Sequence, residues 1–224
     1  MKTGLSPVVA IDGPSASGKG TVARGVADAL GFHLLDSGAL YRLVALSALE
    51  RALDLESTAD VALIARNLNV KFDGDTIWLE AKNVSNAIRD ERVSVAASKV
   101  AALEPVRRAL IDRQRAFRQP PGLVADGRDM GSVVFPDATL KIFLTADAEE
   151  RALRRYKQLM DKGLSANMSA LLQEINDRDA RDMKRATDPL QKCPDAIELD
   201  TTGMSVDAAV AQIVARYKRA NPAP

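Results

Sequence analysis

An α/β fold with a five-stranded parallel sheet flanked by helices is what this sequence predicts, and three observations predict it. Short apolar runs rich in β-branched residues recur along the chain, separated by stretches of helical period, which is the rhythm of strands joined by crossover helices. A glycine-rich break follows the first run and opens a helix. Polar residues gather where runs end, at Asp12-Gly13, Asp36-Ser37 and Asp126-Gly127-Arg128-Asp129, as expected of sheets that work at the carboxyl ends of their strands.

The elements follow in order. Val8 to Ile11 is short, apolar and β-branched, so it reads as a buried strand. After the glycine break, Thr21 to Leu30 carries Val22, Val26, Ala29 and Leu30 near helical spacing, and Gly31 fits the helix stop. His33 to Asp36 is the second strand, and a helix follows from Leu40 to Arg51. The third strand is Leu123 to Asp126, the fourth Leu140 to Leu144 and the fifth Ile197 to Asp200. The last helix runs from about Val206 to Arg219, with Asn221-Pro222 ending it. Two stretches break the rhythm. Residues 58–94 hold a helix, then Val70-Lys71-Phe72 and Ile77 to Glu80 around Asp73-Gly74, a hairpin signal that marks a small inserted subdomain. Residues 151–187 are helical, arginine-rich and broken at Lys162-Gly163, the pattern of a mobile lid. The whole chain, 1–224, is expected to be one domain carrying these two additions.

Composition narrows the function. At 46% hydrophobic and 27% charged, the balance is that of a soluble globular protein. No apolar run reaches the ~18 residues of a spanning helix. The N-terminus lacks the apolar stretch of a signal peptide, so a cytoplasmic protein without membrane partners is expected. Cys193 is the sole cysteine, which excludes an internal disulfide or a multi-thiolate zinc site. His33 is the sole histidine and reads as a strand-start residue among packing neighbours, so the chemistry should need neither thiol nor imidazole. A net charge of +1 gives no general pull toward nucleic acid, and aromatics at 4% supply no stacking platform. Charge is uneven, however: residues 151–185 hold nine Lys or Arg against five Asp or Glu.

Gly13-Pro14-Ser15-Ala16-Ser17-Gly18-Lys19-Gly20-Thr21 fits G-x-x-x-x-G-K between a strand and a helix. That context makes it a phosphate loop of the P-loop NTPase fold, gripping a nucleoside triphosphate such as ATP. Glycines let successive backbone N–H groups point inward around a phosphate. The helix beginning near Lys19 adds its positive end. Lys19 supplies a cation for the terminal phosphates, and Thr21 can place its hydroxyl near Mg²⁺. Gly20 separates Lys19 from Thr21, a spacing unlike that of GTPases or motor ATPases and similar to that of nucleotide kinases.

Three motifs carry a closer resemblance. Ala10 to Ser15, Leu35-Asp36-Ser37-Gly38-Ala39-Leu40-Tyr41-Arg42 and Ala125 to Gly131 resemble the bacterial cytidylate kinases, and so do Arg113 to Phe117 and Arg178 to Arg185. The resemblance spans nearly the whole chain. It implies transfer of the ATP γ-phosphoryl to CMP or dCMP with Mg²⁺, giving CDP or dCDP, in pyrimidine nucleotide metabolism. It also implies that Ser37, Arg42, Arg128 and Arg185 hold the acceptor phosphate, that Ser98, Arg107 and Asp129 surround the base, and that Arg178 and Asp182 approach the ribose. Lys19, Arg128, Arg178 and Arg185 are then the catalytic set. Arg155 joins the phosphate loop on the donor, and the enzyme is expected to work as a monomer.

Physical chemistry supports these types. Arginine forks onto two phosphate oxygens and stays charged. A carboxylate such as Asp129 accepts from the cytosine N4 amino group and repels uracil O4, and it equally suits a loop carboxylate paired with a nearby arginine. Arg178, Arg181, Asp182 and Arg185 fall at i, i+3, i+4 and i+7, one helical face. Arg151, Arg154 and Arg155 repeat the pattern. Both sets read as lid arginines closing on the nucleotides, or as a solvated basic face. Asp36 and Asp126 could orient Mg²⁺ waters or the arginines. Two alternatives stay open: a P-loop kinase for another small acceptor, such as shikimate or a different nucleotide, and a nucleotide-binding regulatory module without turnover.

Overall fold

The computed structural model describes residues 4–74, 76–161, 163 and 165–221. Lys162, placed by the sequence at the break in the lid, and Pro222, placed after the last helix, lie outside the described residues. Eight strands and eight α-helices are described, in two sheets. The main sheet holds β1 (Val8–Asp12), β2 (His33–Asp36), β6 (Leu123–Gly127), β7 (Leu140–Thr145) and β8 (Ile197–Asp200) in the order β2-β6-β1-β7-β8. β1 is central and pairs in parallel with β6 (Val8 with Leu123, Asp12 with Gly127) and with β7 (Val9 with Leu140, Asp12 with Phe143). β7 pairs in parallel with β8. All five strands fall where the apolar runs place them. Every residue of β1 is buried, because a central parallel strand is covered on both faces.

The chain divides into two compact units, residues 1–35 with 115–224, and residues 36–114. The core of the first is built where α1 (Lys19–Leu30) and α8 (Val206–Ala220) meet the sheet. Val9, Ile11, Val22, Val26, Ile142 and Ile213 form its centre. This unit also carries α6 (Ala148–Asp161) and α7 (Met168–Lys184). Arg185 lies just past α7 in extended backbone, so the four-residue face read from the sequence is interrupted at its last member.

The second unit centres on α2 (Ser37–Glu50), whose Leu40, Leu43, Val44, Ala45 and Ala48 are buried. Around it lie α3 (Thr58–Arg66), α4 (Glu91–Val100) and α5 (Glu104–Arg115, its last residue counted with the first unit). A small sheet of β3 (Val70–Asp73), β4 (Thr76–Leu79) and β5 (Lys82–Asn83) is antiparallel, with Phe72 opposite Ile77 and Asp73 opposite Thr76. That is the hairpin signalled by Asp73-Gly74, and Gly74 takes the positive φ of 56° that its turn requires. The helix expected from Leu40 begins three residues earlier, because Asp36 caps it by accepting from the Ala39 N–H at 2.9 Å. Among the described residues no helix is long and apolar enough to cross a membrane.

Candidate active site

The phosphate loop leaves β1 through Gly13, whose φ is 151°. A Cβ there would lie 2.0 Å from the Leu144 carbonyl oxygen, so only glycine lets the loop pass so close to β7. Ala16 (φ 55°) and Gly18 (φ 88°) are left-handed, which turns successive N–H groups to one side as an anion nest. Gly18 is the N-cap of α1, and Lys19 is its first residue. Lys19 is only 5% exposed, and its Nζ donates to the Pro14 carbonyl at 2.7 Å. Burial, then the positive charges of Arg128 and Arg178, pull its pKa from 10.5 to about 7, against the opposing carboxylates of Asp126 and Asp182. An arriving phosphate anion would restore the charge. Thr21 is exposed in the first turn of α1.

Two arginines of α6 grip the loop from its carbonyl side. Arg151 Nη1 donates to Ser15 O at 3.0 Å and to Asp179 Oδ2 at 2.5 Å. Arg154 Nη1 donates to Ser17 O at 3.2 Å, and its Nη2 to Thr201 O at 2.6 Å. The sequence suggests that both close on nucleotides; here they fasten the loop to its scaffold. Arg155 is half-buried on the same helix.

At the end of β6, Arg128 Nε donates to Asp182 Oδ2 at 2.8 Å, joining the third strand motif to α7. Burial pushes the Asp182 carboxyl up, but Arg128, then Arg178 and Arg185, hold it below its ordinary value. Arg181 points outward and is exposed. Asp129 is buried, with Arg185 Nη2 3.9 Å from its Oδ1. Arg185 Nε also donates to Asp188 O at 2.7 Å. Asp126 Oδ2 lies 3.4 Å from where a Gly20 Cβ would stand, directly against the loop.

In the second unit, Ser37 is buried at the start of α2. Arg42 Nη2 donates to Asp36 Oδ2 at 2.7 Å. Asp36 thus caps the helix and orients an arginine, one of the roles its position suggests. Ser98 on α4 and Arg107 on α5 are both buried. Arg107 stacks over the Tyr41 ring at 5.9 Å from the centroid and donates to Ala101 O at 3.2 Å. His33 is exposed rather than packed, with Nε2 2.9 Å from Pro120 O, because β2 is an edge strand.

Two carboxylates had no role assigned from the sequence, which placed Asp12 at a strand end and did not single out Asp179. Asp12 ends β1 and accepts from the Met130 and Gly131 N–H groups, each at 2.8 Å. It thereby pins the π-turn Met130–Val134 that follows Arg128 and Asp129. Burial raises its pKa to about 7. Asp179 accepts from Ser15 N and Oγ. Its signal was its place beside Arg178, three residues before Asp182 on one helix face. Among the described residues no cluster of three His, Cys, Asp or Glu could hold a metal by itself.

A parallel sheet with a phosphate loop on its central strand and arginines at the strand ends defines a P-loop kinase fold. A gluconokinase structure from Sinorhizobium meliloti 1021 shares that fold, with TM-score 0.50, 14% identity and coverage of 96% of this chain and 93% of that one. Residues 9–219 match the family described as cytidylate kinase. A cytidylate kinase of Nitrosomonas europaea is 56% identical over 97% of this chain and 97% of its own length. One of Cupriavidus necator is 57% identical over 96% and 97% respectively. The chain belongs to the cytidylate kinase family.

Proposed function

We propose that this protein is a (d)CMP kinase: it transfers the γ-phosphoryl of ATP to a phosphate oxygen of CMP or dCMP, releasing ADP and CDP or dCDP. The observation that carries this reading is Lys19 buried at the head of α1 among Arg128, Arg178 and two aspartates, in a chain with this family membership. The acceptor is already an anion, so the work is positioning and charge neutralisation rather than proton abstraction.

The residue roles are part of the proposal. The loop Gly13 to Thr21 cradles the donor phosphates, Lys19 neutralises charge on the transferred group, and Arg155 assists. Arg128, Arg178 and Arg185 stabilise the equatorial oxygens, with Asp182 orienting Arg128. Asp129 reads the cytosine amino group once Arg185 turns to phosphate. Ser37, Arg42, Ser98 and Arg107 belong to the acceptor side, residues 58–94 form the acceptor-binding insert, and residues 151–187, carried by the first unit, form the lid. Thr21, together with the nucleotide phosphates, would hold Mg²⁺, which would supply charge shielding. A cytoplasmic monomer completes the reading.

A coupled ADP-release assay with CMP, dCMP, UMP and AMP tests it. CMP and dCMP should be the preferred acceptors. Faster turnover of UMP or AMP overturns the assignment, and ATP binding without turnover of any monophosphate points to a regulatory module.

A further inference from the structure

Ser15, Arg151 and Asp179 form a closed ring across three elements, the phosphate loop, α6 and α7. All three are buried. Asp179 Oδ1 accepts from the Ser15 N–H at 3.2 Å and from Ser15 Oγ at 3.1 Å. Arg151 joins the other carboxylate oxygen to the Ser15 carbonyl, and its Nε donates to Ala146 O at 3.0 Å. Both backbone groups of Ser15 are therefore committed to the scaffold. A buried ion pair adds little to stability compared with apolar packing of the same volume. Its geometric effect is larger: it fixes the residue directly before left-handed Ala16 and Gly18, where the nest of N–H groups is set. Asp179 also directly follows Arg178 and stands three residues before Asp182, the partner of Arg128. One carboxylate thus sets the register of α7 against the phosphate loop.

We infer that Asp179, held by Arg151, is a positioning residue that shapes the phosphate loop for the donor nucleotide. The inference rests on the ATP-dependent reading above. It acts through Ser15 and touches no reacting atom.

The test compares wild type with Asp179→Ala, Asp179→Asn and Arg151→Lys. ATP affinity is measured by calorimetry without acceptor, and KM is measured separately for ATP and CMP. Asn keeps an oxygen for Ser15 but loses the charge facing Arg151. Lys keeps the charge but cannot bridge Ser15, Asp179 and Ala146 together. ATP affinity should fall by about ten-fold or more in Asp179→Ala and Arg151→Lys, less in Asp179→Asn, with the KM for CMP within about two-fold of wild type. Should the single variants fail to fold, the combined Arg151→Met, Asp179→Leu chain, which leaves no unpaired charge, should fold and bind ATP weakly. Unchanged ATP affinity with only a lower melting temperature overturns the inference. So does tighter ATP binding, which would make Asp179 a competitor of phosphate. If wild type binds ATP yet phosphorylates no monophosphate, the proposed function fails while the ATP-affinity comparison still decides the role of Asp179.

Discussion

Lys19→Met, an apolar replacement of similar length, should stabilise the ligand-free protein while removing most of its turnover. Folding moves the Lys19 pKa from 10.5 down to about 7, chiefly through burial. Between those values the unfolded chain holds a proton that the folded chain sheds, so wild-type stability rises with pH across the interval and is lost as pH falls toward 7. Near pH 7 and below, the full interval costs about 5 kcal/mol at ~1.4 kcal/mol per unit. Losing the bond to the Pro14 carbonyl offsets about 1.5–3 kcal/mol of the gain. The net gain of about 2–3.5 kcal/mol corresponds to roughly 4–14 °C for a chain of this size. By about pH 9 the wild-type penalty has shrunk by roughly 2–3 kcal/mol, and the two melting curves should approach each other. Turnover should fall by about 10²–10³-fold, the usual loss on removing one group that stabilises transition-state charge. Calorimetric melting of both chains from about pH 6 to about pH 9, beside an ADP-release assay, tests the two halves. A pH-independent difference in melting temperature refutes the buried-charge argument, and turnover above about a tenth of wild type refutes the role in transfer.

Gly13→Ala should cost about 3 kcal/mol or more, because its Cβ meets the Leu144 carbonyl oxygen at 2.0 Å in a backbone region that alanine rarely adopts; an unchanged melting temperature would refute the close approach. Arg128→Ala should destabilise by about 3–5 kcal/mol by stranding the buried Asp182 carboxylate, with a coupling above about 1 kcal/mol in a double-mutant cycle with Asp182→Ala. Since the folded Asp182 pKa is depressed, that coupling is present at neutral pH and should fade as pH falls below the ordinary carboxylate range; a coupling that persists in acid counts against the ion pair. Asp129→Asn should lower the CMP-to-UMP ratio of kcat/KM by about ten-fold or more, and an unmoved ratio would show that Asp129 does not read the base.

The main sheet was legible because each strand announces itself twice, by an apolar run and by a polar residue at its end. Val8 to Ile11 followed by Asp12, and Leu123 to Ala125 followed by Asp126, are instances. The elements that escaped lack one of those marks. α4 and α5 carry narrow apolar stripes, Val93, Ala96, Ala97 and Val100 in one, Val106 and Leu110 in the other, among many charges. The two-residue β5 is too short to show alternation at all. The π-turn after Asp129 is held in part by Asp12, over a hundred residues earlier, which accepts from two of its N–H groups. No local pattern can report that.

The candidate site divides along the same line. The placement of Lys19 was readable because neighbours in sequence fix it: Gly18 is the N-cap of its helix and Pro14 accepts from its ammonium. The arginines were readable as a set but not one by one, since each partner comes from a distant segment. Arg128 meets Asp182, Arg151 meets Asp179, and Arg185 faces Asp129. Helical spacing grouped Arg178, Arg181 and Asp182, yet packing turned Asp182 inward and left Arg181 in solvent. The pairings carry a functional consequence. On the proposed function, a phosphate group entering among these arginines would meet cations already oriented by carboxylates, so little side-chain ordering would remain to be done at binding. It must also displace or share those carboxylates, so part of the attraction of the bare charges is given up. Arg151 and Asp179 differ from the other two pairs in being tied to the loop's backbone as well as to each other. On the proposed function, that pair is the one expected to stay closed while Arg128 and Arg185 exchange aspartate for phosphate.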